Sequence, residues 1–202
     1  MIIYIIFTQN IGTMISIRQA TINDSKAIAG FIMEAMTDEC CRYFYGPNHS
    51  SSDFMRLMTE LVESVSSQYS YLNALVAVDE DQVVGAAVSY DGACLHQLRA
   101  AFVEGAKKYF GRDFSDIADE TSSGELYLDS FAVNAVRRHQ GIGTRLLNAT
   151  IEKAAQMNIP CVGLLVDKNN PTAERMYLEA GFCYVGDSVW GGHSMRHLQK
   201  FV

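Results

Sequence analysis

A basic, glycine-containing run stands where an apolar, strand-like segment gives way to a helix-like one. It reads Arg138-His139-Gln140-Gly141-Ile142-Gly143-Thr144. Glycines let a backbone turn tightly and approach a ligand closely, and the free N–H groups that open a helix carry partial positive charge. A phosphate would fit this loop. Because the Gly-Lys-Ser/Thr of nucleotide hydrolases and the third glycine of dinucleotide sites are missing, the loop is expected to bind another kind of pyrophosphate or to be only a tight turn.

A second segment with chemical potential lies downstream of the loop. Asn170 is a good helix N-cap, and Pro171 follows it at the first helical position. Tyr177 belongs to the apolar stripe of the same helix, which Gly181 ends. Capping and core packing would explain both residues. The Tyr177 hydroxyl could also donate a proton near a ligand held by the loop.

The elements that must position these residues follow from the hydrophobic periodicity. Strand-like runs occupy seven segments: 15–18, 74–78, 83–90, 126–133, 161–166, 182–185 and 195–200. Helical stripes separate the later runs, an order that predicts parallel strands, whereas the second and third runs predict an antiparallel hairpin. We therefore predict an α/β (α+β) fold with a mixed central sheet of about seven strands flanked by helices.

The chain is expected to form one domain over residues 14–202, with residues 1–13 as an accessory extension. Residues 91–124 break the rhythm of strands and helices, which indicates an insertion in that domain. The insertion begins with a helix-like stripe and continues with an acidic, turn-rich stretch.

Taken together, the loop and the downstream segment resemble the GNAT superfamily of acyl-CoA-dependent N-acyltransferases. The loop is similar to its Arg/Gln-x-x-Gly-x-Gly/Ala motif through Arg138, Gly141 and Gly143. The downstream segment is similar to its Asn-x-x-Ala…Tyr…Gly-Phe pattern through Asn170, Ala173, Tyr177, Gly181 and Phe182. The strand end Phe131-Ala132-Val133 is also similar to the Leu-x-Val-type strand end that precedes this loop in the family. The strong part of the resemblance covers residues 125–200, and the order of elements over 15–90 is compatible with a GNAT-like fold.

The resemblance implies acetyl-CoA as the acyl donor and direct attack of a neutral amine on the thioester. No metal is expected, because the sequence lacks a metal-ligand motif. It implies that Phe131, Ala132 and Val133 bind pantetheine through main-chain groups, and that a backbone N–H such as that of Val133 stabilises the oxyanion. The pyrophosphate would lie on seven residues: Arg138, His139, Gln140, Gly141, Ile142, Gly143 and Thr144. Asn170 would touch the pantetheine arm, and Tyr177 would protonate the leaving thiolate.

The general base is less sharply indicated. Glu125 and Asp129 alternate with leucines, so they share one face of the strand with Tyr127. Either carboxylate could take the proton of the amine directly or through water. The alternative is that they cap a turn or face solvent, and that water alone removes the proton.

Composition narrows the classes of partner. The 202 residues carry a net charge of −7, which argues against nucleic acid as the main partner and favours a cationic small molecule or basic peptide. Five cysteines without a CxxC spacing predict free thiols in a reducing compartment. The apolar run over residues 1–7 is too short to span a bilayer, and it lacks the flanks of a signal peptide. A cytoplasmic protein that does not bind membranes is expected.

Several alternatives stay open at this point. The same fold could serve as a non-catalytic acyl-CoA sensor, or as an interaction domain whose glycine-rich turn is only structural. Protein N-termini, lysines, polyamines, antibiotics and amino acids are all candidate acceptors, and the oligomeric state is open, a homodimer included. The insertion holds Asp113, Asp116, Asp119 and Glu120. It is expected either to recruit cationic amines to the acceptor site or to be a solvated surface loop.

Overall fold

The computed structural model describes residues 15–202, so the extension predicted for residues 1–13 lies outside the described residues. In that range, seven strands form one sheet: β1 (Ser16–Gln19), β2 (Ala74–Asp79), β3 (Gln82–Asp91), β4 (Leu126–Val133), β5 (Cys161–Asp167), β6 (Cys183–Trp190) and β7 (His193–Phe201). Five α-helices flank it: α1 (Ser25–Tyr45), α2 (Ser51–Glu63), α3 (Leu95–Phe110), α4 (Ile142–Gln156) and α5 (Pro171–Glu179). The predicted fold class is confirmed.

The strands are ordered β1-β2-β3-β4-β5-β7-β6 across the sheet. β4 and β5 form a parallel pair, and the other neighbouring strands in the described chain pair antiparallel. The prediction of parallel neighbours is wrong for β5 and β6, because β7 lies between them. The hairpin turn at Gly191 and Gly192, both at positive φ, returns the chain so that β7 pairs with β5.

Helices cover both faces of the sheet. Helices α1, α2 and α3 enclose one core, in which Ile28, Phe54 and Phe102 are buried against β2 and β3. Helices α4 and α5 enclose the other, which holds Leu146 and Tyr177. Burial of such large apolar side chains stabilises a fold by roughly 1.5–3 kcal/mol each. We call the side of the sheet covered by α1, α2 and α3 the α1 face, and the side covered by α4 and α5 the α4 face.

The segment predicted as an insertion, residues 91–124, forms helix α3 and an acidic loop that leads into β4. Helix α3 packs closely on α2, where a Cβ on Gly105 would lie 2.5 Å from a methyl carbon of Leu57. Across residues 15–202, no helix combines the length and the apolar character needed to cross a membrane. All five cysteines are free thiols.

Candidate active site

Strands β4 and β5 separate soon after they begin. They pair at Leu126 with Val162 and at Tyr127 with Gly163, although β4 continues to Val133 and β5 to Asp167. Beyond these two pairs, the facing edges leave backbone N–H and C=O groups free to hydrogen-bond an extended ligand. The separation therefore opens a gap through the sheet between its two faces.

The direction of the backbone groups decides which of them reach this gap. The N–H of Asn134 donates to the carbonyl of Val84 on β3 at 2.9 Å. Successive residues of a strand direct their backbone groups to opposite edges, so the N–H groups of Val133 and Phe131 point into the gap. The N–H of Ala132 points toward β3, where Ala132 pairs with Ala86. The geometry thus supports main-chain contacts from Phe131 and Val133 but not from Ala132.

A cleft of about 810 Å³ occupies the gap and extends to both faces of the sheet. It brings together most of the site residues predicted from the sequence: Asp129, Phe131, Ala132, Val133, Arg138, His139, Gly141, Ile142, Gly143, Thr144, Asn170 and Tyr177. Two predicted residues, Gln140 and Glu125, do not line it. The volume is within the usual range for small-molecule and cofactor sites.

The glycine-containing loop forms the N-terminus of α4 at one end of the cleft. Gly141 is the N-cap residue at φ +76°, a left-handed conformation that glycine adopts without strain. His139, at φ +62°, adopts it as well. The first N–H groups of α4 have no acceptor within the helix and carry its positive dipole end, so they suit an anion.

Two arginines precede these N–H groups. Arg138 donates from Nε to the carbonyl of Val133 at 3.1 Å and from Nη2 to Glu34 of α1 at 2.6 Å. Arg137, which the sequence analysis did not single out, also lines the cleft and pairs with the buried carboxylate of Asp79. Its position beside Arg138 was the only sequence signal for this second charge.

Tyr177 and Asn170 approach the gap from α5. The Tyr177 ring is buried between Phe131 and Phe182, with ring centroids 6.2 and 5.7 Å away. Burial raises the pKa of the Tyr177 phenol, so the hydroxyl is protonated at neutral pH but is a weaker acid than an exposed tyrosine. Asn170 caps α5 by accepting from the N–H of Ala173 at 3.1 Å, which leaves its amide N–H groups for the cleft.

Asp129 lies at a β-bulge on the other side of the gap. Val88 pairs with Ser130 and Ser89 with Leu128, so Asp129 is the extra residue of β4. Its carboxylate accepts from the Ser130 hydroxyl at 2.8 Å and from the Gln68 amide at 3.2 Å. Burial, and then the neighbouring charge of Glu120, raise the pKa of Asp129 to about 7. This carboxylate can exchange a proton near neutral pH.

Glu120 is held beside Asp129 by the helix of the insertion. Its carboxylate forms an ion pair with buried Arg99 of α3 and accepts from the Tyr90 hydroxyl at 3.0 Å. The same Gln68 amide that bonds Asp129 lies 3.5 Å from Glu120. The sequence predicted Glu120 in a loop that either recruits cationic amines or is solvated, and no local signal indicated Arg99 or Gln68 as its partners.

Glu125 occupies a different environment. It is buried and accepts hydrogen bonds from Thr121 at 2.6 Å, Gln199 at 2.7 Å and, in a contact of 2.8 Å, from His197. Burial alone would raise the pKa of Glu125, but the bonds to these three side chains leave it lowered. A side chain at Gly163 would overlap this carboxylate. Of the two candidate bases, Asp129 therefore has access to the cleft.

The α1 face adds residues that the sequence analysis did not select. Helix α1 is broken at Thr37, whose φ of +70° is unusual for a β-branched residue, and Thr37 lines the cleft there. The aromatic residues Tyr69, Tyr127 and Trp190 line the same end. Trp190 packs on Phe44 of α1 with ring centroids 5.9 Å apart.

The acidic loop of the insertion is mostly paired rather than free. Asp119 contacts both His96 and Arg99 at 3.2 and 3.0 Å, and Asp113 contacts Lys107 at 3.0 Å. Asp113 and Asp116 line a separate surface depression, so Glu120 is the acidic residue of this loop that reaches the cleft. The recruiting role therefore has support at Glu120, whereas Asp113 and Asp116 fit the alternative of a surface loop.

Comparison with known proteins links this architecture to a family. Residues 33–182 match the model of the acetyltransferase (GNAT) family. The curated acetyltransferase Atu2258 of Agrobacterium fabrum is 33% identical over 86 residues, which make up 42% of this chain and 61% of that protein. The match thus spans about three fifths of the length of this relative.

Solved structures agree over almost the whole chain. A crystal structure of an acetyltransferase is 30% identical, with a TM-score of 0.74 over 93% of this chain and 99% of the other. An N-acetyltransferase from Staphylococcus aureus Mu50 is 22% identical, with a TM-score of 0.76 over 92% of this chain and 100% of the other, which shows a shared fold.

Proposed function

Because the chain belongs to the acetyltransferase (GNAT) family, we propose that it transfers an acetyl group from acetyl-CoA to a primary amine. The observation that carries this proposal is the gap between β4 and β5, with an anion-binding helix N-terminus at one end and a buried tyrosine beside it. The pantetheine arm would lie along the free edge of β4, bonded to Phe131 and Val133. The pyrophosphate would lie on the 138–144 loop, with Arg137 as a further charge.

The chemistry uses both sides of the gap. Asp129 takes the proton of the bound ammonium, and the neutral amine attacks the thioester carbonyl. The N–H of Val133 stabilises the developing oxyanion because it already points into the gap and needs no reorganisation. The carbon–sulfur bond then breaks, and Tyr177 protonates the leaving thiolate. The second proton that the nitrogen loses returns the phenol of Tyr177 to its starting state through water, and Asp129 releases its proton to solvent. In this route no cysteine acts as a nucleophile, and burial raises the pKa of Cys40, which lines the cleft, to about 12.

The test is release of free CoA from acetyl-CoA across a panel of amines, with acetyl-CoA binding measured separately by calorimetry. Amine-dependent thiol release is the expected result. Binding without turnover by any amine class would instead support the alternative of a non-catalytic acyl-CoA sensor. Absence of acetyl-CoA binding would contradict both the enzyme and the sensor hypotheses.

A further inference from the structure

We infer that the acceptor is a small monoamine with a flat, apolar body and no carboxylate. This inference rests on the proposed function and specifies its substrate class. Three observations carry it: the aromatic lining of the cleft at the α1 face, the balance of charges there, and the pairing of the basic residues around the cleft.

The first observation concerns the lining. Tyr69 and Tyr127 are buried, and Trp190 faces the cleft from β6. Met195 and the Cys40 thiol add polarisable apolar surface at the same end. Aromatic faces attract an ammonium group and stack with flat apolar groups, so this end suits an amine on a ring better than one on a polar chain.

The second observation is the charge balance. Arg99 already neutralises Glu120, and Asp167 contacts His193 at 3.0 Å. Glu34 lies beside Arg138 at the loop, where its side chain is 41% exposed to solvent. Asp129 has no ion-pair partner in residues 15–202, and its bonds come from the neutral groups of Ser130 and Gln68. One unpaired carboxylate matches one ammonium group. A second ammonium on a polyamine would lose its hydration here without gaining a partner.

The third observation excludes acceptors that carry an acid. A carboxylate on the acceptor would need a basic partner at the α1 face. The arginines beside the loop are paired with Asp79 and Glu34, and His193 lies 3.0 Å from Asp167. The other basic residues that line the cleft, His139 and Arg175, belong to the glycine-containing loop and to α5, not to the α1 face. A carboxylate would instead lie near Asp129, and like charges placed together cost several kcal/mol, which corresponds to 100-fold or more in specificity.

The test compares four probes in a thiol-release assay: phenethylamine, phenylalanine, spermidine and Nα-acetyl-lysine methylamide. The kcat/KM for phenethylamine should exceed that for phenylalanine by about 100-fold or more, and those for the other two by at least about tenfold. Turnover led by phenylalanine, spermidine or the lysine derivative would overturn the inference while leaving the proposed function intact. Acetyl-CoA binding without turnover of phenethylamine would also overturn the inference. Absence of acetyl-CoA binding would instead contradict the proposed function.

A pair of variants locates the acceptor. Trp190→Leu keeps an apolar side chain but removes the aromatic face, so the KM for phenethylamine should rise about tenfold and the Kd for acetyl-CoA should stay unchanged. The neighbouring Val189 is 62% exposed, and Val189→Ala serves as the control that should change neither constant. An unchanged KM in a folded Trp190→Leu protein would contradict the placement of the acceptor at the α1 face.

Discussion

The carboxylates of Glu120 and Asp129 are neighbours, joined through the side-chain amide of Gln68, which lies 3.5 Å from the first and 3.2 Å from the second. The two acids belong to different elements, the loop after α3 and the bulge of β4. Two nearby carboxylates oppose each other's ionisation, and burial together with the neighbouring Glu120 raises the pKa of Asp129 to about 7. This environment is consistent with the base proposed at Asp129, and Glu120 is a neighbour that raises its pKa.

Glu120→Gln should lower the pKa of Asp129, because it removes the negative neighbour and leaves Arg99 unbalanced. The acid limb of kcat/KM for the acceptor should therefore move to lower pH, by up to about one unit. The pH–rate profile, with the acceptor well below its KM, measures this shift. Asp113→Asn, at the separate surface depression, is the matched control, and an identical acid limb in both variants would reject the tuning role of Glu120.

Asp129→Asn should reduce turnover by roughly 10²–10⁴ and make the protein more stable at neutral pH. The pKa of Asp129 is about 7 in the fold and 3.8 ordinarily, so the folded state binds the extra proton between those values. Stability from this group is full below pH 3.8 and falls as the pH rises to about 7, by up to about 4 kcal/mol.

Chemical denaturation of the wild type and of Asp129→Asn at pH 5 and pH 8 measures this effect. Asp129→Asn should raise the free energy of unfolding more at pH 8 than at pH 5. Glu125→Gln provides the contrast, because the pKa of Glu125 is lowered in the fold, so neutralising it should cost stability above its ordinary pKa of 4.5. Stabilisation by both substitutions would contradict the distinction between the two carboxylates.

Tyr177→Phe should leave the ring packed between Phe131 and Phe182 and remove only the hydroxyl. Turnover should fall by roughly 10²–10⁴, the usual contribution of proton transfer, while the Kd for acetyl-CoA stays within about twofold. Phe182→Leu, which alters the packing but keeps the hydroxyl, is the control for a structural effect. Wild-type turnover in Tyr177→Phe would assign the protonation of the thiolate to water.

Gly141→Val should abolish acetyl-CoA binding. Gly141 is at φ +76°, where a β-branched residue is strained, so the substitution distorts the first turn of α4 that would hold the pyrophosphate. Gly111→Val is the matched control, because Gly111 has φ +65° and similar open space around it but lies outside the cleft. Melting experiments should show a similar loss of stability in both variants. Calorimetry should show that Gly141→Val alone loses acetyl-CoA binding.

Glu34→Gln should strengthen acetyl-CoA binding. Arg138 is bonded to Glu34 at 2.6 Å, so a pyrophosphate must compete with that carboxylate for the guanidinium. The pair is about half exposed, and exposed pairs contribute about 0–1 kcal/mol, so the Kd should fall by up to about fivefold. The gain should shrink at high salt, and weaker binding in Glu34→Gln would show that Glu34 positions Arg138 for the ligand.

The sequence alone determined the features whose causes lie within a few neighbouring residues. The alternation over 126–133, the apolar run over 161–166 and the cap formed by Asn170 and Pro171 predicted β4, β5 and α5 close to their observed bounds. Gly141, between a strand and a helix, indicated a tight turn that opens a helix for the same reason, because a backbone conformation and a free helix N-terminus are local properties. These signals also carried the resemblance that the family match confirms.

Only the tertiary structure decided which of these residues reach the cleft. The Asp129–Gln68 bond joins residues 61 positions apart, and the Glu125–His197 contact joins residues 72 positions apart. Glu125 and Asp129 read alike as alternate residues of one strand, but β7 buries the first, whereas the bulge leaves the second at the cleft. The position of β7 between β5 and β6 and the packing of Trp190 on α1 likewise depend on contacts between distant segments. Pattern along a chain fixes the periodicity of each element, whereas strand order, register and buried charge depend on which distant segments pack together.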